Sequence, residues 1–162
     1  MVVNVAKEVN NDSAKREFIS STGVKIKIMA VAPGLIQKVL GQIKDPVIPM
    51  WMNPDKEREE PNPHDPNYQQ ALQEVTEKRA EASMNTMIMF GVQLVDPLPE
   101  NKLWLKQLKY VGVTDIDEDD PFELEFAYKK YIATGSADFQ KISRLAGVTQ
   151  EAIEQQLKNF RD

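Results

Sequence analysis

Apolar positions along this chain follow two periods. Val24, Ile26 and Ile28 alternate with Lys25 and Lys27, the two-residue period of a half-buried strand. A shorter run from Arg16 to Ser20 lies before Ser-Ser-Thr-Gly (20–23), so the stretch from Arg16 to Val31 predicts a β-hairpin. One hairpin is marginal alone and must pack on helices or pair with another edge. After Pro33 and Gly34 the period changes. Leu35, Ile36, Val39, Leu40 and Ile43 recur at helical spacing until Asp45-Pro46 stops them.

Helical spacing returns after residue 65. Tyr68, Leu72, Val75 and Ala82 form a narrow stripe among charges. Met84, Met87, Ile88 and Phe90 follow in a segment apolar nearly all round, which predicts that this end is central to the core. Asp96-Pro97 and Pro99 break the chain. Leu103, Trp104, Leu105, Leu108 and Val111 mark the next helix, and Phe122, Leu124, Phe126, Tyr128, Tyr131 and Ile132 another. Phe139, Ile142 and Leu145, then Ile153, Leu157 and Phe160, complete the set. Asp65-Pro66, Asp120-Pro121, Ser136 and Thr149 are the expected helix starts, because Asp, Ser and Thr accept bonds from orphan amides and Pro fits the first turn. Gly91, Gly112, Gly135 and Gly147 are the expected stops, by a left-handed exit. Trp104, Leu108, Phe126, Ile142 and Leu157 are the expected buried residues.

Between these regions lies a segment of another kind. Pro46, Pro49, Pro54, Pro61, Pro63 and Pro66 fall within 21 positions. That density precludes a regular helix or a central strand. Val47 to Met52 reads as extended and apolar, with Trp51 between Met50 and Met52, and Lys56 to Glu60 as a solvated charge run. The chain therefore predicts a mainly helical α+β fold: a β-hairpin and helix over 1–44, a Pro-rich arm over 45–64, and a helical bundle over 65–162. Residues 1–13, polar and Asn-rich, are expected to fray.

Composition narrows the chemistry. Without cysteine, disulfides, thiolate metal sites and cysteine nucleophiles are excluded. No apolar run approaches the roughly 20 residues of a membrane span, and Met1 to Asn11 lacks a secretory core, so the chain reads as cytosolic. Its net charge of −5 is unevenly spread: +4 over residues 1–44, −9 over 45–162. An acidic helical region disfavours nucleic acid, whose phosphates need a basic face.

Asp115, Asp117 and Asp119 alternate like the start of an EF-hand loop. The sixth position, which should be Gly, is Asp120, and the twelfth, which should be Glu, is Phe126. The same acids suit a helix N-terminus, with Asp120 as cap and Glu123 three residues on. His64 is the single histidine, with no ligand spacing around it and no nucleophile-elbow serine. The glycines form no phosphate loop or dinucleotide fingerprint. No catalytic residue, metal or cofactor is expected, and the chain reads as a binding protein. Met50, Trp51 and Met52 are its candidate partner-binding residues, since Met and exposed aromatic side chains suit adaptable protein contacts; the alternative is that the arm folds back and these side chains plug the core.

Phe139 to Ile153 resembles a helix-turn-helix, with Gly147-Val148-Thr149 as its turn. Its second helix begins with Gln150, Glu151, Glu154, Gln155 and Gln156 before Lys158, a poor surface for phosphates.

The order of features also points to a family. Val-Lys-Ile-Lys-Ile (24–28), Pro33 and a small helix are followed by the Pro-rich segment, Glu-Pro-Asn-Pro-His-Asp-Pro-Asn-Tyr (60–68), and a helix ending Phe-Gly-Val (90–92). Then come Trp-Leu-Lys-Gln-Leu-Lys-Tyr-Val-Gly-Val (104–113), Asp-Asp-Pro-Phe-Glu-Leu-Glu-Phe-Ala-Tyr (119–128) and a closing Gly-Val-Thr-Gln-Glu-Ala-Ile. In this order the chain resembles the tail assembly chaperones, small tail-morphogenesis proteins of long-tailed bacteriophages encoded between the tube and tape-measure genes. The resemblance implies a non-enzymatic helper in the host cytoplasm that binds the tape-measure protein during tail building and is not part of the virion, in some members with a frameshifted longer form. Contact with the tail tube protein and homo-oligomer formation are left open; no nucleic acid or membrane partner is implied. The alternatives are a structural tail or connector component of the virion, and a DNA-binding regulator using residues 136–161.

Overall fold

The computed structural model describes residues 16–147. In chain order it contains β1 (Glu17–Ile19), β2 (Lys25–Ile28), α1 (Pro33–Gly41), β3 (Met50–Asn53), β4 (Arg58–Pro61), α2 (Pro66–Gly91), β5 (Val92–Leu94), α3 (Leu103–Tyr110), α4 (Pro121–Tyr128) and α5 (Phe139–Ala146). A π-helical turn, Lys129–Ala133, prolongs α4, and a 3-10 turn, Ser136–Asp138, leads into α5. The fold is α+β and mainly helical.

β1 and β2 form the expected hairpin, with Phe18 opposite Ile26. Alternation places Ile26 and Ile28 fully inside. The outer edge of β2 is taken by β5, antiparallel, with Ile28 opposite Val92 and Ile26 opposite Leu94. Residues 92–94 were expected to be only a break between helices. Three residues are too few to show a period, and their partner strand is distant in sequence.

This pairing seats the hairpin in the helical body. Ile26, Ile28, Val31, Ile36, Leu40, Val92, Trp104, Leu105, Leu108 and Ile142 share one core, with Ala127, Tyr128, Ala133 and Ala146. Trp104 meets Tyr128 edge to face, ring centres 5.2 Å apart, which joins α3 to α4. Trp104, Leu108 and Ile142 are buried as expected. Phe126 is only half-buried, a correction. The buried side of α4 falls on Ala127 and Tyr128, and the π-helical turn carries it on to Lys129 and Ala133, out of phase with the 3.6-residue period used to place Phe126. Ile88 is fully buried, yet Phe90 is mostly exposed, so the end of α2 is not apolar contact all round. Leu157 and the helix expected from Thr149 to Phe160 lie outside the described residues, as do residues 1–13.

Two of the helix starts, Asp65 and Asp120, are local and come out as read. Asp65 accepts from the amides of Asn67 (2.9 Å) and Tyr68 (3.0 Å), and Asp120 from Phe122 (2.9 Å). The stops divide into two kinds. Gly112 (φ 100°) and Gly147 (φ 76°) take the left-handed exit. Gly91 and Gly135 do not, and are glycine for want of space. A Cβ on Gly91 would sit 3.0 Å from Val31 Cγ2, and one on Gly135 only 2.1 Å from Ser21 Oγ.

Candidate protein-contact surface

Residues 45–64 are not a structureless arm. β3 and β4 pair antiparallel as a second hairpin, with Met50 opposite Pro61, Trp51 opposite Glu60, Met52 opposite Glu59 and Asn53 opposite Arg58. The rule that prolines exclude a central strand holds, but a two-stranded ribbon has no central strand. Its loop opens on an Asx turn, the Asp55 amide donating to Asn53 Oδ1 at 3.0 Å, and closes on Glu57 in the left-handed region (φ 47°). The charge run over Lys56 to Glu60 is organised around one carboxylate. Glu60 accepts from Asn53 Nδ2, Lys56 Nζ and Arg58 Nε, each at 3.0 Å. The bond from Asn53, then those from Lys56 and Arg58, hold its pKa below the ordinary 4.5, against a smaller opposing effect of desolvation.

The hairpin contributes no residue to the core cluster. Met50, Trp51 and Met52 are 54%, 44% and 59% exposed, so the arm does not fold back to plug the body. The three side chains do not form one patch. Alternation puts Met50 and Met52 on one face with Glu59 and Pro61, and Trp51 on the other with Glu60.

The base of the hairpin is tied down. Arg79, at the middle of α2, donates from Nη1 to Asp45 Oδ1 at 2.8 Å and from Nη2 to the Ile43 carbonyl at 2.7 Å. This clamp fixes the chain between α1 and β3 to a long helix, so the ribbon has an anchored root and an uncovered end. Sequence reading missed it, because Arg79 looks like any other charge on a solvated stripe.

A second missed constellation fastens the first hairpin. Asp138 is buried, and its carboxylate accepts from the amide of Ser21 (2.9 Å), the hydroxyl of Ser21 (2.9 Å) and the amide of Gly135 (2.6 Å). Thr22 Oγ1 donates to the Ala133 carbonyl at 2.9 Å, and Lys141 Nζ stands 3.9 Å from the centre of the Phe18 ring. Burial pushes the Asp138 pKa up; the bonds from Gly135 and Ser21, with the charge of Lys141, outweigh it and hold the group below 3.8. The carboxylate of Asp138, not Ser136, therefore satisfies the amide at the start of this helical segment. The hydroxyls of Ser21 and Thr22 were the available signal, but their partners, Asp138 and Ala133, are more than a hundred residues away.

The acidic stretch before α4 serves the backbone. Asp117 Oδ1 accepts from the Asp119 amide and Glu123 Oε2 from the Asp117 amide, each at 2.9 Å, and Glu118 pairs with Lys109. Glu123 thus reaches Asp117 rather than closing a capping box on Asp120. Among the described residues no three His, Asp or Glu side chains are grouped to hold a metal. His64 is exposed beside an Asx turn at Asn62. Open depressions of about 430 Å³ (lined by Gly34, Gln37, Lys38, Gly41 and Gln42) and about 420 Å³ (lined by residues 93–98 and Glu125) sit on the surface. Glu125 is already paired with Lys129 Nζ at 2.9 Å. The first helix of the helix-turn-helix reading exists as α5, ending at Gly147; the second lies outside the described residues. Among the described residues no helix is long and apolar enough to cross a membrane.

Comparison of the chain with protein-family models, with curated proteins and with solved structures gives no match.

Proposed function

We propose that this protein is a non-enzymatic binding protein of the tail assembly chaperone kind, which covers the tape-measure chain of a long-tailed bacteriophage in the host cytoplasm. The observation that carries this reading is the anchored ribbon of residues 50–61, which holds two methionines and a tryptophan in solvent. Folded proteins leave such side chains uncovered at a cost in aggregation, and apolar side chains held out on both faces of a rooted element suit a contact surface. Met is unbranched and polarisable, and adapts to irregular apolar partners. A tape-measure chain is long, apolar and helical, and many copies of a small acidic protein could cover it. Mass action then holds it soluble until tube subunits displace the cover.

Co-expression is expected to raise the soluble fraction of the tape-measure chain. Trp51→Ala is expected to weaken that binding by about tenfold, equivalent to about 1.4 kcal/mol, while the thermal midpoint of the free protein stays nearly unchanged, because Trp51 lies outside the core. Solubility and affinity that do not respond to Trp51→Ala would remove the ribbon from the contact. A tape-measure chain equally soluble with and without the protein would remove the function.

A further inference from the structure

The ribbon has two edges, and they are not equivalent. The Asn62 amide donates to the Pro49 carbonyl at 2.7 Å, which fixes the hydrogen-bonding phase of the ladder. Bonded pairs alternate with non-bonded ones in an antiparallel sheet. Trp51–Glu60 and Asn53–Arg58 are therefore the bonded rungs, while Met50–Pro61 and Met52–Glu59 are the non-bonded ones. In consequence the N–H and C=O groups of Met50 and Met52 point away from β4, along an open edge. The corresponding edge of β4 offers Glu59 and Pro61; Pro61 has no N–H, and Glu59 brings charge. Pro49, by contrast, sits at an inward-facing position and spares the outer edge of β3. Of the two edges, only that of β3 can take a full antiparallel ladder, and it presents Met50, Trp51, Met52 and Asn53, none of them charged.

We propose that this edge pairs with the same edge of a second copy of the chain. The phase of the ladder allows symmetric registers centred on Met50, Trp51 or Met52. The one centred on Trp51 pairs both outward residues within β3, whereas one centred on Met52 sets Met50 against Pro54, which has no N–H, and one centred on Met50 needs Ile48, outside the strand. In the Trp51-centred register the outward groups of Met50 bond those of Met52 in the second copy, and those of Met52 bond Met50. Trp51 then lies opposite its own counterpart on the two-fold axis, in the non-bonded position where side chains come closest. The product is a four-stranded antiparallel sheet. One face gathers four methionines, and the other brings two tryptophans together. Cross-strand aromatic pairs in this position are favourable. No like charges meet across the new contact, because Glu59 and Glu60 stay in the outer strands and Glu60 is already held by Lys56 and Arg58. Self-complementarity is what selects a second copy over an unrelated strand: the edge satisfies its own hydrogen-bonding phase and its own facial pattern. Strands of four residues bury less than the roughly 1,200 Å² of a stable interface, so the dimer is a weak one. The inference does not depend on the tape-measure reading.

Sedimentation equilibrium of the full chain, from about 5 µM to about 500 µM, is expected to show a monomer–dimer equilibrium with a dissociation constant on the order of 10–100 µM. Met52→Pro removes an outward donor and leaves both bonded rungs to β4 intact, so it is expected to give a monomer at every concentration. Trp51→Cys places the only thiol of the chain on the two-fold axis, within the about 4.4–6.8 Å Cα separation of a disulfide. Under mild oxidation it is expected to give a covalent dimer at least about tenfold faster than Glu59→Cys on the opposite edge. A wild-type monomer throughout, a dimer that Met52→Pro leaves intact, or equal cross-linking of the two cysteines each overturns the proposal.

Discussion

Ile142→Ala is expected to destabilise the protein by about 2–5 kcal/mol, as large-to-small changes at closed core sites do. Ile142 is fully buried and belongs to the same core as Ile26, Ile28 and Leu105. The elements that meet around this core are held to one another by backbone bonds. The Val31 amide donates to the Ala146 carbonyl at 3.0 Å and the Met29 amide to the Gly91 carbonyl at 2.7 Å, so the strand exit is fixed to α5 and to the end of α2. The cavity term should therefore survive relaxation. Phe126→Ala, at a half-buried position, is expected to cost less despite the larger side chain removed. Urea denaturation of both variants gives the comparison, and a larger loss for Phe126 would mean that the core is misplaced.

Asp138→Asn is expected to cost about 2–4 kcal/mol at neutral pH, because a buried acceptor for three donors loses its charge and, even with its oxygen in the Oδ2 position, turns its NH2 towards the Ser21 amide. The loss should have a pH signature. The folded-state pKa of Asp138 lies below 3.8, so ionised Asp138 contributes stability in full above that ordinary value. The contribution fades as pH falls below 3.8 through the lower folded value. The stability gap between wild type and Asp138→Asn should therefore be constant from about pH 6 to 8 and narrow below about pH 4. Glu60, also depressed, loses its ribbon contacts in the same acid range, but it does so in both proteins and cancels in the difference. A gap independent of pH down to the acid transition would mean that Asp138 acts through packing rather than charge.

What the sequence made legible was what is local. Asp65 and Asp120 bond amides two or three residues on, and Gly112 and Gly147 exit left-handed within the same turn, so each signal sat beside its consequence. Gly91 and Gly135 gave the same signal for a different cause, since the groups that exclude a side chain there, Val31 and Ser21, are distant in sequence. β5 was hidden by its length and β3–β4 by their prolines, whose outcome depends on which way each ring nitrogen faces in a ladder. Phe126 stands beside the buried side, which falls on Ala127 and Tyr128 and then follows a π-helical turn that a fixed helical period does not anticipate. Among the candidate contact residues, the sequence left open whether Met50, Trp51 and Met52 face a partner or plug the core; their exposure and their division between two faces required the structure and its register. Arg79 and Asp138, which root the two hairpins, are long-range partners that no spacing rule points to.

The most direct test of the chaperone reading follows copy number through assembly. Quantitative mass spectrometry of tape-measure complexes, purified before and after tube polymerisation, would count this protein per tape-measure chain. Many copies are expected on the bare chain and none in finished tails. A fixed copy number retained in finished tails, or no association with the tape-measure chain at any stage, would contradict the chaperone reading.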